Sequence, residues 1–173
     1  MPIICVAQKN DCKYLDPDRL KWSDFRGKAD YNKKNTDALT ATRYQFSIAS
    51  DTMGTQFVKA EVGILFCYGS SWVKSSKIAD KRRWERLLDH ERLHIKLQMI
   101  NAKKFKMQLL ALNNLDKINL NKLISEFSAD DHKQSDLYDA ETKHGRNEQV
   151  QNKWKIRIEK EYRSLDNVLL IGE

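Results

Sequence analysis

From Asp80 to Leu112 the chain runs without a proline or a glycine. Lys, Arg, Leu, Gln, Met and Ala dominate this stretch, all strong helix formers. Apolar residues recur in it at Trp84, Leu87, Leu88, Ile95, Met99, Ala102, Phe105 and Leu109, close to the 3.6-residue period of a helix with one face against a core. The stretch therefore predicts a single long helix, and the rest of the chain must pack around that rod.

The rod carries His90-Glu91-Arg92-Leu93-His94, an H-E-x-x-H pentapeptide. Residues four apart on a helix sit one turn above each other, so both imidazoles point the same way and can hold one metal ion. Glu91 then lies beside the metal, where its carboxylate can take a proton from bound water. His90 and His94 fall on one edge of the apolar stripe and Glu91 close to its middle. A carboxylate there is costly without a partner; a metal-bound water supplies one, and a buried Lys or Arg would be the other solution. The pattern is the core of a zinc hydrolase.

At 173 residues, with 40% hydrophobic residues and four Trp, the chain suits one domain spanning 1–173, with its core at about 20–165. No apolar run approaches a membrane span. Met1 to Ala7 is short and lacks the basic start of a signal peptide. The net charge of +7 and a pI near 9.2 permit acidic partners. However, Lys and Arg are interleaved with acids and no nucleic-acid motif occurs, so the basic surface reads as solvated and nucleic acid is not expected. Three cysteines cannot all pair. Cys5 and Cys12 are close enough to close a small loop in an oxidising compartment, and Cys67 reads as a buried small hydrophobe.

Ahead of the rod the chain reads as extended. Leu20 to Gly27 is a short strand or an anchored loop. Thr42 to Ala49 alternates through Tyr44, Phe46 and Ile48, and Gln56 to Tyr68 forms a second strand, with a turn at Asp51 to Gly54. After it, Leu115 to Phe127 predicts a shorter helix, Ser128 to Lys143 a long polar loop, and Asn147 to Leu165 a last helix through Val150, Trp154, Ile158 and Tyr162. Strands first and helices after make the class α+β: a small N-terminal antiparallel sheet against the long helix and two further helices.

A catalytic zinc keeps three protein ligands and an open position, so a third ligand is needed. His144 is the leading candidate because it abuts the last helix and a rigid element can position it. Asp139 and Glu141 are rivals. His132, between Asp131 and Lys133, looks like a solvated residue.

Three segments together resemble an uncharacterised bacterial family of predicted secreted zinc-dependent proteases. They are Leu20-Lys-Trp-Ser-Asp-Phe-Arg-Gly27; Ser71-Trp72-Val73 followed by Leu87 to His94; and Tyr138-Asp-Ala-Glu-Thr-Lys-His-Gly145 with Gln151 and Trp154. The likeness spans about residues 20 to 163. It implies a zincin-like fold, a site built from His90, His94 and the Tyr138–Gly145 segment, and a secreted or periplasmic location. The chain carries Ile95 and Lys96 where Phe and Asp often follow the second motif histidine in that family.

The expected activity is zinc-dependent hydrolysis of a peptide or protein substrate. Glu91 is the general base for the metal-activated water, and Tyr138 the second donor to the developing oxyanion. Asp89 and Asp139 are candidate acceptors for the outer ring N–H groups of the motif histidines. Trp22, Phe25 and Trp72 either line a groove or anchor the N-terminal segment. The rival function is a non-catalytic domain of the same build, in which zinc secures the fold and a protein partner is bound.

Overall fold

A computed structural model describes residues 11–50, 57–77, 80–112 and 117–173. Among the described residues five strands precede three α-helices: β1 Cys12–Lys13, β2 Ala38–Leu39, β3 Thr42–Ser50, β4 Phe57–Cys67, β5 Trp72–Val73, α1 Lys81–Leu110, α2 Lys117–Thr142 and α3 Glu148–Ser164. The class is α+β, with a three-stranded antiparallel sheet in the order β1-β4-β3 and a two-stranded antiparallel ribbon β2-β5. The expected turn at Asp51 to Gly54 lies outside the described residues. Among the described residues no helix is long and apolar enough to cross a membrane.

β4 presents Ala60, Val62, Ile64 and Phe66 at alternate positions, all buried, as the two-residue period of a strand requires. They meet Ile95, Met99, Ala102, Phe105 and Leu109 of α1. Asp80 caps α1, its carboxylate accepting from the Arg82 amide at 3.0 Å. The opposite face of α1 is buried too: Leu93, Leu97 and Ile100 pack on Tyr138 of α2 and on Trp154 and Ile158 of α3. The stripe read from the sequence is the sheet-facing one. Two buried lysines tie this centre to its surroundings. Lys96 Nζ lies 2.7 Å from both Asp18 and Glu159, and Lys103 Nζ lies 3.0 Å from Glu173.

Two expectations change, and a third resolves between its two options. Residues 128–142 are not a loop but the second half of α2. They contain no Gly or Pro, and their inward positions Asp131, Ser135, Tyr138 and Thr142 keep helical spacing while being mostly polar, which hid the period. Leu20 to Gly27 is the anchored loop of the two options, with a 3₁₀ turn at Trp22–Asp24; the Trp22 ring packs at a tilt against Trp84, centroids 4.5 Å apart, so this segment clamps the start of α1. Cys67 is buried but bonded: the register of β1 and β4 places it opposite Cys12, and the two form a disulfide across 55 residues of chain. The expected Cys5 pairing lies outside the described residues, and Cys12 already has its partner.

Candidate metal centre

His90 and His94 lie side by side on α1 with their Nε2 atoms 3.2 Å apart. Asp139, on the facing turn of α2, puts its Oδ1 at 3.0 Å from each of them. Across His90, His94 and Asp139, one ligand atom from each residue lies within 4.8 Å of the others. Of the candidates for a third ligand, the structure thus brings Asp139 into contact with both motif histidines. His144 reaches the cluster through Asp139, its Nδ1 3.2 Å from the same Oδ1. Glu141 is turned away and accepts from the Trp154 indole at 2.7 Å. His132 is exposed, its Nδ1 2.6 Å from the Ser128 carbonyl.

The turn between α2 and α3 sets this geometry. Lys143, His144 and Gly145 all have positive φ, at 52°, 51° and 73°. Left-handed backbone costs a side-chain-bearing residue about 1–2 kcal/mol, and it persists only where the surroundings over-determine it. They do so here. The His144 amide donates to the Asp139 carbonyl at 2.9 Å and the Asn147 amide to the Thr142 carbonyl at 2.8 Å. Arg86 of α1 donates to the Gly145 carbonyl at 3.2 Å and pairs with Glu148 at 3.0 Å.

Tyr138 does not supply the expected oxyanion donor. Its ring stacks on His90 at 4.6 Å and meets His94 edge-on at 4.8 Å. It is fully buried, and its hydroxyl points to the His90 carbonyl at 3.5 Å. Adjacent helical residues diverge by about 100°, so with Asp139 facing the cluster, Tyr138 turns into the core between α1 and α3. It forms the floor on which the imidazoles rest. Burial pushes its phenol well above the ordinary value. Trp22, Phe25 and Trp72 pack on the core, the anchoring role of the two weighed.

Glu91 is 3% exposed, and its partner is neither Lys nor Arg: the Thr40 hydroxyl donates to Oε2 at 2.7 Å. Thr40 belongs to a segment fixed by the fully buried Lys74, whose Nζ donates to the carbonyls of Lys33 and Thr36. Arg83 and Arg146 hold Asp37 in the same segment. Sequence reasoning missed Thr40 and Lys74, since nothing in their local pattern marks them.

Glu91, His90, His94, Asp139 and Thr40 line a cavity of about 320 Å³ between this segment and α2. Asp131 and Asp136 extend its acidic wall, and no Lys or Arg lines it among the described residues, although the chain carries 31 of them. Burial lowers the His90 pKa, and the Asp139 carboxylate only partly offsets this. Burial also works against the His94 cation, but there the hydrogen bond and charge of Asp139 prevail and the pKa is raised. Burial opposes the Asp139 anion as well; the three surrounding imidazoles outweigh it and hold the carboxyl far below its usual range.

These atoms suit a divalent cation. Two Nε2–H groups that both donated to Asp139 Oδ1 would crowd their protons together, since the nitrogens are only 3.2 Å apart, whereas a cation takes a lone pair from each. Ligand atoms at about 2.0–2.1 Å from a tetrahedral zinc are about 3.3 Å apart, close to the 3.0–3.2 Å separations seen here. Asp89, a candidate acceptor for an outer ring N–H, is instead engaged by Arg92 at 3.2 Å and Lys155 at 3.0 Å.

Compared with known proteins, the chain matches no family model, no curated protein and no solved structure.

Proposed function

We propose that the chain is a zinc-dependent metallopeptidase of zincin-like build, with His90, His94 and Asp139 holding the ion and Glu91 acting as general base. One observation carries the reading: two imidazoles and a carboxylate converge within 3.0–3.2 Å of each other beside a cavity that Glu91 also lines. Zinc bound there supplies a Lewis acid that polarises a scissile carbonyl and acidifies water. Glu91 takes a proton at Oε1, since Thr40 occupies Oε2, and returns it to the leaving amine. Asp139 completes the ligand set with the two motif imidazoles, Tyr138 supports the rings from below, and the cavity leaves room for substrate. A purely structural zinc calls for a fourth protein ligand closing the shell, and the opening onto a cavity favours catalysis instead. The Cys12–Cys67 disulfide supports an oxidising compartment, in line with the secreted or periplasmic location that the family resemblance implies.

The test is Glu91→Gln. Elemental analysis should find zinc at the parent's stoichiometry, while hydrolysis of a mixed peptide library falls at least about 100-fold, the usual contribution of a general base. Chelator should abolish the parent's activity. A Glu91→Gln variant as active as the parent would falsify the assignment of the base, and a parent that binds no zinc sinks the whole reading.

A further inference from the structure

His90 can give its Nε2 lone pair to a cation only in the tautomer that carries its proton on Nδ1, and that N–H then needs an acceptor. His90 is 1% exposed, and its Nδ1 is buried with no hydrogen-bond partner. Gln151, on the first turn of α3, has the complementary deficit. It is 3% exposed. Its Nε2 donates to the Arg86 carbonyl at 3.0 Å, a bond only the NH₂ end of the amide can make. The carbonyl end is therefore turned the other way, and Oε1 is buried with no donor.

The two deficits meet at Gly145. A Cβ at that position would lie 3.1 Å from Gln151 Oε1 and 3.1 and 3.2 Å from His90 Cβ and Cγ. Glycine leaves that space open. A buried acceptor and the ring that carries a buried donor border the same small gap, both groups are unsatisfied, and folded interiors complete such pairs.

We propose that Gln151 is a positioning residue of the metal centre: its Oε1 accepts the His90 Nδ1 proton, directly or through one enclosed water, and holds His90 in the tautomer that ligates through Nε2. The proposal rests on the zinc reading above, and it assigns to α3 a part in the site beyond packing. The bland role for Gln151 is to tie α3 to α1 through the Arg86 carbonyl. That tie uses only Nε2, so the two roles are separable by substitution.

Gln151→Glu keeps an acceptor beside His90 and loses the donor to Arg86; Gln151→Leu keeps the bulk and loses both. Zinc affinity is measured by competition with a chromophoric chelator, and the His90 Nδ1–H signal is followed by ¹⁵N NMR of the zinc-loaded protein. Gln151→Leu is expected to bind zinc about 10–100-fold more weakly, the usual effect of removing such a partner, and to lose protection of the Nδ1 proton from exchange. Gln151→Glu should bind within about twofold of the parent or tighter, with the proton still protected. Equal losses in both variants would reduce Gln151 to a tie between helices, and unchanged affinity in the Leu variant overturns the proposal outright. If the Leu variant fails to melt cooperatively, the Glu variant decides: weakened zinc binding or an unprotected proton there rejects it. A parent that binds zinc while Gln151 proves irrelevant leaves the metal site standing, whereas a parent that binds none removes both.

Discussion

Gly145→Ala tests whether the α2–α3 turn builds the site or merely closes the chain. Gly145 has φ of +73°, and alanine in left-handed backbone costs about 1–2 kcal/mol. Its Cβ would also press on the His90 side chain at 3.1 Å, and overpacking of a tight interior costs about 1–3 kcal/mol. Together these predict destabilisation of about 2–5 kcal/mol. With a urea m-value of about 2 kcal/mol per M for a small domain, the unfolding midpoint should fall by about 1–2.5 M. The displaced His90 should also weaken zinc binding by at least tenfold. Gly172→Ala is the control. That residue has φ of +98°, and its Cβ would meet Tyr14 at 2.9 Å, so it should be destabilised for the same two reasons. It contacts no candidate ligand, however, and its zinc affinity should stay at the parent's value. Equal zinc affinity in the Gly145 and Gly172 variants would refute the idea that this turn positions His90.

Asp139→Ala should weaken zinc binding by at least about 100-fold and His144→Ala by about tenfold, because Asp139 touches both motif rings while His144 touches only Asp139; the reverse order, measured by competition titration, would make His144 the third ligand. Cys12→Ser should cost about 4 kcal/mol at 25 °C, the chain-entropy value for a loop closed across 55 residues, and denaturant midpoints that do not move would show the crosslink to be dispensable. With Asp131 and Asp136 on the cavity wall and no Lys or Arg lining it among the described residues, peptides with Lys or Arg near the scissile bond should be cleaved faster than Glu-containing counterparts. Asp136→Lys should shrink that preference, and faster cleavage of the acidic set by the parent would contradict the electrostatic argument.

The first half of the site was legible and its completion was not. His90 and His94 announce themselves because helical spacing alone stacks them, and α1 announces itself because its sheet-facing stripe is apolar on both sides of Glu91. Glu91 in that stripe signalled a special environment, but its partner Thr40 sits 51 residues upstream in a segment held by a buried lysine. Nothing local to Thr40 carries that information. Asp139 could be named as a rival ligand and no more, since choosing among Asp139, Glu141 and His144 depends on which way each faces on α2 or in the turn that follows. The disulfide was hidden for a similar reason: it follows from the register of β1 against β4, a long-range pairing.

Residues 128–142 read as a loop in the sequence and fold as a helix, for a physical reason that bears on the site. Hydrophobic periodicity detects a helix only when its buried face is apolar. Beside the buried Tyr138, the inner face of this half of α2 carries Asp131, which accepts from Asn101 at 2.8 Å, the half-buried Asp139 among the imidazoles, and Thr142, which donates to the Tyr138 carbonyl at 2.6 Å. Burying such groups is tolerable only when each finds a partner, and each does: Asn101 of α1 for Asp131, the imidazoles for Asp139, and the Tyr138 carbonyl and the Gly145 amide for the Thr142 hydroxyl. The missing apolar period thus follows from polar groups that are satisfied one by one, Asp139 by the site itself. A stretch free of Gly and Pro and long enough for several turns can fold as a helix even where the face it turns inward is mostly polar, as here, with Tyr138 its one large core residue.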